Sequence, residues 1–413
     1  MDTNHTPPVS LGAKAGKETV RRHNLSLVLR AVRDEGEATR AGIASRVGLT
    51  RAAVSSLVEQ LIGSGFLSES GKTFSGQAGR PGTVLKMART GPAGIGVEIN
   101  IDYVSVCVVD LSGTDRVRLT EHIDNRGAPP AEVLARGARI AARTLESAAE
   151  QDLAPVGAEL ALPGLVSAGT VRQAPNLGWN RVPAEEHFAR ALARLRPGAG
   201  PLPVSSENEA NLAALAELWF GGLGSPRTFL YLTGEIGVGG ALVIDGELLR
   251  GAHGFAGEIG HVVVDPDGPL CRCGARGCLE QYAGQSALLR AAGMDPDAGV
   301  PGVTELARRA RGGDATALEA VGRAGRMLGR VVSGAVNLFD PDAVVLGGIY
   351  RTLMPWLSPS VDRELTARVV SGLWPAGSGR LRASSSAGDA ARGAAALVVR
   401  AVLADPSAYV SRA

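Results

Sequence analysis

The sequence predicts an α/β protein of two related lobes with a cleft between them, preceded by a small α+β module. Three observations predict it. Strand-like segments followed by helical ones occur twice over beyond residue 90; the first 90 residues read instead as three helical segments and two short strands; and positive charge gathers in that first part. Residues 1–90 hold 13 Lys and Arg against 7 Asp and Glu, a balance of +6, whereas the remainder holds 30 against 34, a balance of −4. All four lysines, Lys14, Lys17, Lys72 and Lys86, fall in the first part. A basic module on a mildly acidic body points to a nucleic-acid partner for the module alone. A chain of 413 residues exceeds one ordinary core, and 45% hydrophobic with 20% charged residues is a globular composition. No apolar run approaches the ~20 residues needed to cross a bilayer. The opening MDTNHTPPVSLGAKAGK lacks the apolar core of a signal peptide. The expectation is a cytoplasmic protein, nucleoid-associated through DNA, with no membrane partner.

Residues 1–17 read as a disordered tail and 18–90 as a DNA-binding domain. From Glu18 to Val32 the apolar positions Val20, Leu25, Val28, Leu29 and Val32 mostly keep helical spacing, and Gly36 closes the segment. A short helix follows over Arg40 to Val47. Gly48 and Leu49 then make a tight turn, Thr50 caps the next helix, and Val54, Leu57, Val58, Leu61 and Ile62 trace one apolar stripe. With that stripe inward, Thr50, Arg51, Ala52, Ser55, Ser56 and Glu59 face out. Small residues beside one arginine suit a helix seated in a major groove, where Arg51 reaches guanine or phosphate. Phe66 to Glu69 and Thr83 to Met87 read as two strands of a wing, whose loop ends in Gly79-Arg80-Pro81-Gly82. Arg80 on that stiffened backbone suits a narrow minor groove. The candidate DNA contacts are therefore Thr50, Arg51, Ala52, Ser55, Ser56 and Arg80.

The body, residues 91–413, begins at a joint, GPAG at 91–94. Gly94 to Ile101 and Tyr103 to Asp110 alternate like paired strands, with a third near Arg116 to Thr120 and a helix around Ala131 to Glu150. A strand near Val156 to Leu162 runs into Pro163-Gly164, and the loop APNLGWN carries Asn176 and Trp179. A helix near Asn208 to Phe220 precedes strands at Thr228 to Thr233 and Ala241 to Ile244. A long helix near Ala317 to Leu338 leads into DPDAVVLGG, and a last helix starts near Ala387.

The stretch GEIGHVVVDPDGPLCRCGARGCLE holds Glu258, His261, Cys271, Cys273, Cys278 and Glu280. Three of the four cysteines fall within eight residues, preceded by a histidine, the donor set of a closed tetrahedral zinc site. Three clustered cysteines would leave one unpaired, which disfavours disulfides. The flanking acids and the far nitrogen of His261 are then free to grip polyhydroxyl oxygens, so a structural zinc supporting a sugar pocket is expected.

Beyond Gly94 the chain resembles the ROK family, named for its repressors, open reading frames and sugar kinases. The resemblance rests on LPG at 162–164, ENEAN at 207–211, AGEIGH at 256–261, CRCGARGCLE at 271–280 and DPDAVVLGG at 340–348. It implies an actin-like (ribonuclease H-like) two-lobed fold, Zn2+ held by His261, Cys271, Cys273 and Cys278, and sugar hydroxyls met by Asn208, Glu209, Glu258, His261 and Glu280. Asn176 is a further candidate for the same pocket. The first 90 residues resemble the winged helix-turn-helix that the family's repressors carry and its kinases lack.

Where the family's kinases have an aspartate base in an NDAN run, this chain has Asn208-Glu209-Ala210-Asn211. The extra methylene moves the carboxylate by roughly 1 to 1.5 Å, a misplacement that costs orders of magnitude in rate. The kinases' first phosphate loop, Asp-x-Gly-x-Thr, stands here as Glu98-Ile99-Asn100-Ile101-Asp102, and the Gly-Thr of the second as Glu235-Ile236. Two like charges 4 Å apart repel by about 4 kcal/mol at an effective dielectric near 20, so Asp102 and Glu235 oppose a triphosphate. The expectation is a sugar-responsive transcriptional regulator, a repressor of carbohydrate uptake or catabolism genes with no catalytic residue. Its partners would be operator DNA, a sugar or sugar-phosphate effector, and its own copies in a homodimer or homotetramer. The alternative is an active ROK kinase of a hexose or amino sugar that carries a DNA-binding module.

Overall fold

The computed structural model describes residues 17–73, 82–222, 226–385 and 389–410. The expected tail at 1–17 lies outside them except for Lys17, as do Arg80 and the Ala387 start of the last helix.

The N-terminal unit contains α1 (Lys17–Glu35), β1 (Ala38–Thr39), α2 (Arg40–Val47), α3 (Arg51–Gly63), β2 (Leu67–Thr73) and β3 (Gly82–Met87). Thr39 caps α2 by accepting from Gly42 N, and left-handed Gly48 ends it. Thr50 caps α3 by accepting from Ala53 N at 3.2 Å. The three strands form a sheet in the order β1-β3-β2. The stripe of α3, with Val54, Leu57, Val58 and Leu61, is buried against Leu25, Val28 and Leu29 of α1.

No joint separates this unit from the body, because Gly91 and Pro92 already belong to a strand. The expected strand at 94–101 begins three residues earlier and ends sooner, as β4 (Gly91–Ile99), and Gly91 pairs in parallel with Leu153. The first lobe continues with β5 (Tyr103–Asp110), β6 (Asp115–His122), α4 (Pro130–Ala149), β7 (Leu153–Leu162), β8 (Leu165–Ser167), β9 (Thr170–Ala174), β10 (Trp179–Val182), α5 (Ala184–Leu195) and β11 (Val204–Asn208). Then come α6 (Glu209–Phe220), β12 (Phe229–Gly234), β13 (Val238–Ile244), β14 (Glu247–Leu248), α7 (Glu280–Ala283), α8 (Gln285–Ala291), α9 (Gly299–Arg311), α10 (Ala315–Phe339), β15 (Ala343–Gly348), α11 (Ile349–Arg368), β16 (Leu381–Ala383) and α12 (Ala390–Ala404).

Each lobe is built on a five-stranded sheet, in the orders β11-β7-β4-β5-β6 and β16-β15-β12-β13-β14. In both, three strands form an antiparallel meander, a fourth joins its first strand in parallel, and a fifth joins the fourth in parallel. The second sheet therefore repeats the first, the duplication expected of two related lobes. Helix α12 crosses back onto β4 of the first lobe. Cβ atoms at Gly94 and Gly96 would overlap the carbonyl oxygens of Ala395 and Ala391, so glycine there lets helix and sheet meet backbone to backbone. The N-terminal helices share this core. Leu25, Val28 and Leu29 cluster with Cys107 and Val109 of β5 and with Ala395, Val399 and Val402 of α12. The buried Ser26 hydroxyl donates to Leu403 O at 2.9 Å.

Candidate functional site

The cleft between the lobes collects all six residues expected to meet sugar: Asn176, Asn208, Glu209, Glu258, His261 and Glu280. The first lobe contributes the turn Pro163–Gly164 and the loop after β9; the second contributes the β12–β13 turn and the segment carrying Glu258. A Cβ at Gly237 would overlap Glu280 Oε2 and come within 3.0 Å of Asn176 Nδ2, so any side chain there displaces the ends of two pocket residues. The Asn176 amide also accepts from Arg272 at 3.2 Å, which ties the two lobes across the cleft. Asn208 is fixed by three bonds that leave the second hydrogen of its amide free to donate into the cleft. As the cap of α6 its Oδ1 accepts from Ala210 N and Asn211 N, and its Nδ2 donates to Gly164 O at 2.9 Å. The helix accordingly begins at Glu209 rather than at Asn208.

The cysteine loop runs between His261 and Glu280, two of the residues that line the cleft. The ligand atoms of His261, Cys271, Cys273 and Cys278 all lie within 4.8 Å of one another. Cys271 Sγ is 3.8 Å from His261 Nδ1, and Cys273 Sγ is 3.7 Å from Cys278 Sγ. A tetrahedron with metal–sulfur bonds of ~2.3 Å has edges of ~3.8 Å, so these four donors fit a metal ion. Backbone bonds hold the loop in shape: Cys271 N donates to Ala275 O at 2.7 Å and Gly274 N to Cys271 O at 2.9 Å. With Nδ1 turned to the sulfurs, the other ring nitrogen, Nε2, lies 4.0 Å from Glu258 Oε2 on the cleft side. Burial, reinforced by the Glu280 charge, raises the Glu258 carboxyl against the opposing pull of His261.

Behind Glu209 a second cavity, of about 250 Å³, is lined by Glu98, Glu209, Glu235 and Asp389, with Arg351 and Ser384 among the rest. Glu209 and Glu235 line both cavities. Burial, then the charges of Glu98 and Glu258, push Glu209 up to about 8, and its Oε2 is a buried acceptor without a partner among the described residues. Burial, then Asp389, raises Glu98 to about 7. Burial, then Glu209 and Glu98, holds Glu235 well above the usual carboxylate range. Asp102, the charge expected to oppose a triphosphate, lines neither cavity. Glu98 takes that place. It accepts from Tyr103 Oη at 2.5 Å and from Ala391 N at 3.2 Å, occupying the first turn of α12. Sequence reasoning passed over Glu98 as an acid in its own right; the signal was its position at the inward end of an almost wholly apolar strand.

The helix expected to read DNA is a separate surface. Thr50, Arg51, Ala52 and Ser56 are exposed and Ser55 is half-buried. Arg51 has no ion pair among the described residues, while Arg40 and Lys86 are paired with Glu69 and Glu37. Among the described residues no helix is long and apolar enough to cross a membrane.

Comparison with known proteins bears on the whole chain. The model of the ROK family matches residues 94–401. The xylose repressor of Caldicellulosiruptor bescii is 31% identical over 339 residues, 78% of this chain and 82% of that protein. A glucokinase of Streptomyces coelicolor is 34% identical over 277 residues, 62% of this chain and 81% of its own. Among solved structures, a ROK family transcriptional regulator described as a homologue of the E. coli MLC protein superposes with a TM-score of 0.75. It is 23% identical and covers 95% of this chain and 100% of its own, a likeness of fold that includes the N-terminal unit.

Proposed function

The chain belongs to the ROK family, and on that premise we propose that it is a sugar-responsive DNA-binding repressor of carbohydrate uptake or catabolism genes. One observation carries the reading. Polar groups suited to sugar hydroxyls converge in the cleft, while the adjoining cavity, where phosphate loops would lie, is walled by Glu98, Glu209 and Glu235. Phosphoryl transfer needs an ionised base and room for a metal-bound triphosphate. Glu209, raised to about 8, is mostly protonated at neutral pH. A carboxyl in that state donates a hydrogen bond to a hydroxyl, and only about a tenth of it is ionised to act as a base at pH 7. The body then binds sugar without transferring phosphate.

Asn208, Glu209, Glu258, His261 and Glu280 are the direct sugar contacts in this proposal, with Asn176 at the rim; Asn208 also positions the Glu209 helix. His261, Cys271, Cys273 and Cys278 would hold a structural Zn2+ that would lend the loop rigidity, with His261 keeping Nε2 toward sugar and Glu258. Thr50, Arg51, Ala52, Ser55 and Ser56 enter the major groove as the recognition helix of a winged helix-turn-helix, and Arg80 reaches the minor groove from the wing. Sugar bridging the lobes favours a closed arrangement. In a homodimer or homotetramer, closure moves two reading helices whose half-sites lie about 34 Å apart, and simultaneous docking is lost.

Sugar and operator binding are then coupled reciprocally. Calorimetric titration of D-xylose and D-glucose, with and without operator DNA, tests this: operator is expected to weaken the cognate sugar by the factor by which sugar weakens operator. Equal sugar affinity in both conditions removes the mechanism, and steady ATP-dependent phosphorylation of either sugar restores the kinase alternative.

A further inference from the structure

A cleft of about 730 Å³ outside the sugar site is lined by Arg172, Arg181, Arg250, His253 and the glycine-containing loop 251–255, with no carboxylate in its wall. In the β9–β10 ladder Asn180 pairs with Gln173 and Val182 with Val171, and the pairing is interrupted between them, at Arg172 and Arg181. Both arginines line the cleft. Neither arginine has an ion pair or side-chain hydrogen bond among the described residues. Arg181 also holds φ +52°, a left-handed conformation that a residue with a side chain adopts only when its surroundings impose it.

The opposite wall offers donors as well. The backbone N–H groups of residues 251–253 have no acceptor among the described residues, while the turn at Ala252–His253 points Gly254 N back at Gly251 O and Ala256 N donates to Arg250 O at 3.1 Å. Gly251 and Gly254 have φ of +72° and +86°, which turns the loop around its own amides. Successive free amides form a concavity for anions, and guanidinium forks match the oxygens of a tetrahedral anion in pairs. We propose that this cleft binds a phosphoryl group, carried by a small phosphate monoester or present as inorganic phosphate.

No residue lines both this cleft and the sugar cleft, but the same segments of chain lead from one to the other. Strand β8 leaves directly from Gly164, Arg172 lies two residues before Ala174, and Phe255 lies three before Glu258. Arg250 holds Glu207 at 3.0 Å, next in the chain to Asn208. An anion that draws Arg172, Arg181 and the loop together therefore acts on segments that also shape the sugar pocket.

The full-length protein is titrated with sodium phosphate against sodium chloride at equal ionic strength, following the unfolding midpoint and the phosphorus-31 linewidth. Phosphate is expected to raise the midpoint where chloride does not. Arg172→Ser with Arg181→Ser should weaken phosphate at least about tenfold, the loss of one or two charge-assisted bonds. The charge-preserving Arg172→Lys with Arg181→Lys should fall between, because ammonium groups keep the charge and lose the fork. Glucose, glucose 6-phosphate and phosphate compared side by side distinguish the source: a sugar phosphate tighter than either part means one ligand spans both clefts, and independent binding means a free anion. Both support the site. No phosphate-specific effect on the wild-type protein overturns it, as does a serine variant that responds like wild type. It is overturned equally if the serine variant loses operator affinity and keeps its phosphate response, since the arginines then serve DNA. If phosphate binds as stated and no sugar binds, the sugar-responsive reading fails while this site stands.

Discussion

Replacing Glu209 by glutamine removes a titrating proton from the middle of the molecule and leaves its shape nearly intact. Burial raises this carboxyl from 4.5 to about 8. Since the folded value is the higher one, its contribution to stability is fully present below pH 4.5 and lost as pH rises through about 8. At 1.36 kcal/mol per pKa unit, the cost at neutral pH is about 3 kcal/mol and approaches about 5 kcal/mol above pH 9. Glu209→Gln keeps an uncharged hydrogen-bonding group in place and carries none of this cost. Urea denaturation of both proteins at pH 5, 7 and 9 checks it, the difference between them cancelling every group they share. The variant is expected to gain on wild type by about 4 kcal/mol between pH 5 and pH 9. A stability difference that stays constant with pH would refute the picture of a protonated acid between the two cavities, and with it the physical reason for denying Glu209 the role of a base.

Four further outcomes follow from the same geometry. Cys273→Ala should abolish stoichiometric zinc measured by atomic emission and weaken sugar, because the ligating loop also carries Glu280; sugar affinity unchanged in a metal-free protein would separate loop from pocket. Gly237→Ala should weaken sugar at least about tenfold with stability changed by less than about 1 kcal/mol, because its Cβ displaces the Glu280 carboxylate from the pocket. Arg51→Ala and Arg80→Ala should each weaken operator by about 1 to 3 kcal/mol in gel-shift titrations while leaving sugar affinity alone. Glu209→Asp, which restores the kinases' residue, should still show no ATP turnover with glucose or xylose, because Glu98 and Glu235 remain in the phosphate path; turnover in a coupled assay would count against that.

Features fixed by neighbours in sequence were the most legible. The helix Arg40–Val47 has the bounds its capping residues imply, and Thr50 caps α3 as its place before the apolar stripe requires. The cysteine loop was legible for the same reason, with three of its four donors within eight residues. Helix α11 was not, since Pro355 and Pro359 read as helix breakers. It forms because Leu353, Leu357, Val361 and Leu365 are buried in the second lobe's core, where packing outweighs two missing backbone bonds. At the end of β4 the spacing put weight on Asp102, but the chain turns there and leaves Glu98 to face the cavity. Arg172 and Arg181 lie nine positions apart, and only the folding of β9 against β10 brings both to one cleft.

The shared packing of α1 with β5 and α12 has a mechanical corollary. A reading head welded to the first lobe does not swivel on a hinge of its own; it goes wherever that lobe goes. Under the proposed function the moving part in a response to ligand would then be the second lobe, and the signal would travel as a change in how two rigid bodies meet. Loosening the weld, for instance at Ser26 or Val399, would leave each half able to hold its own ligand and break the conversation between them.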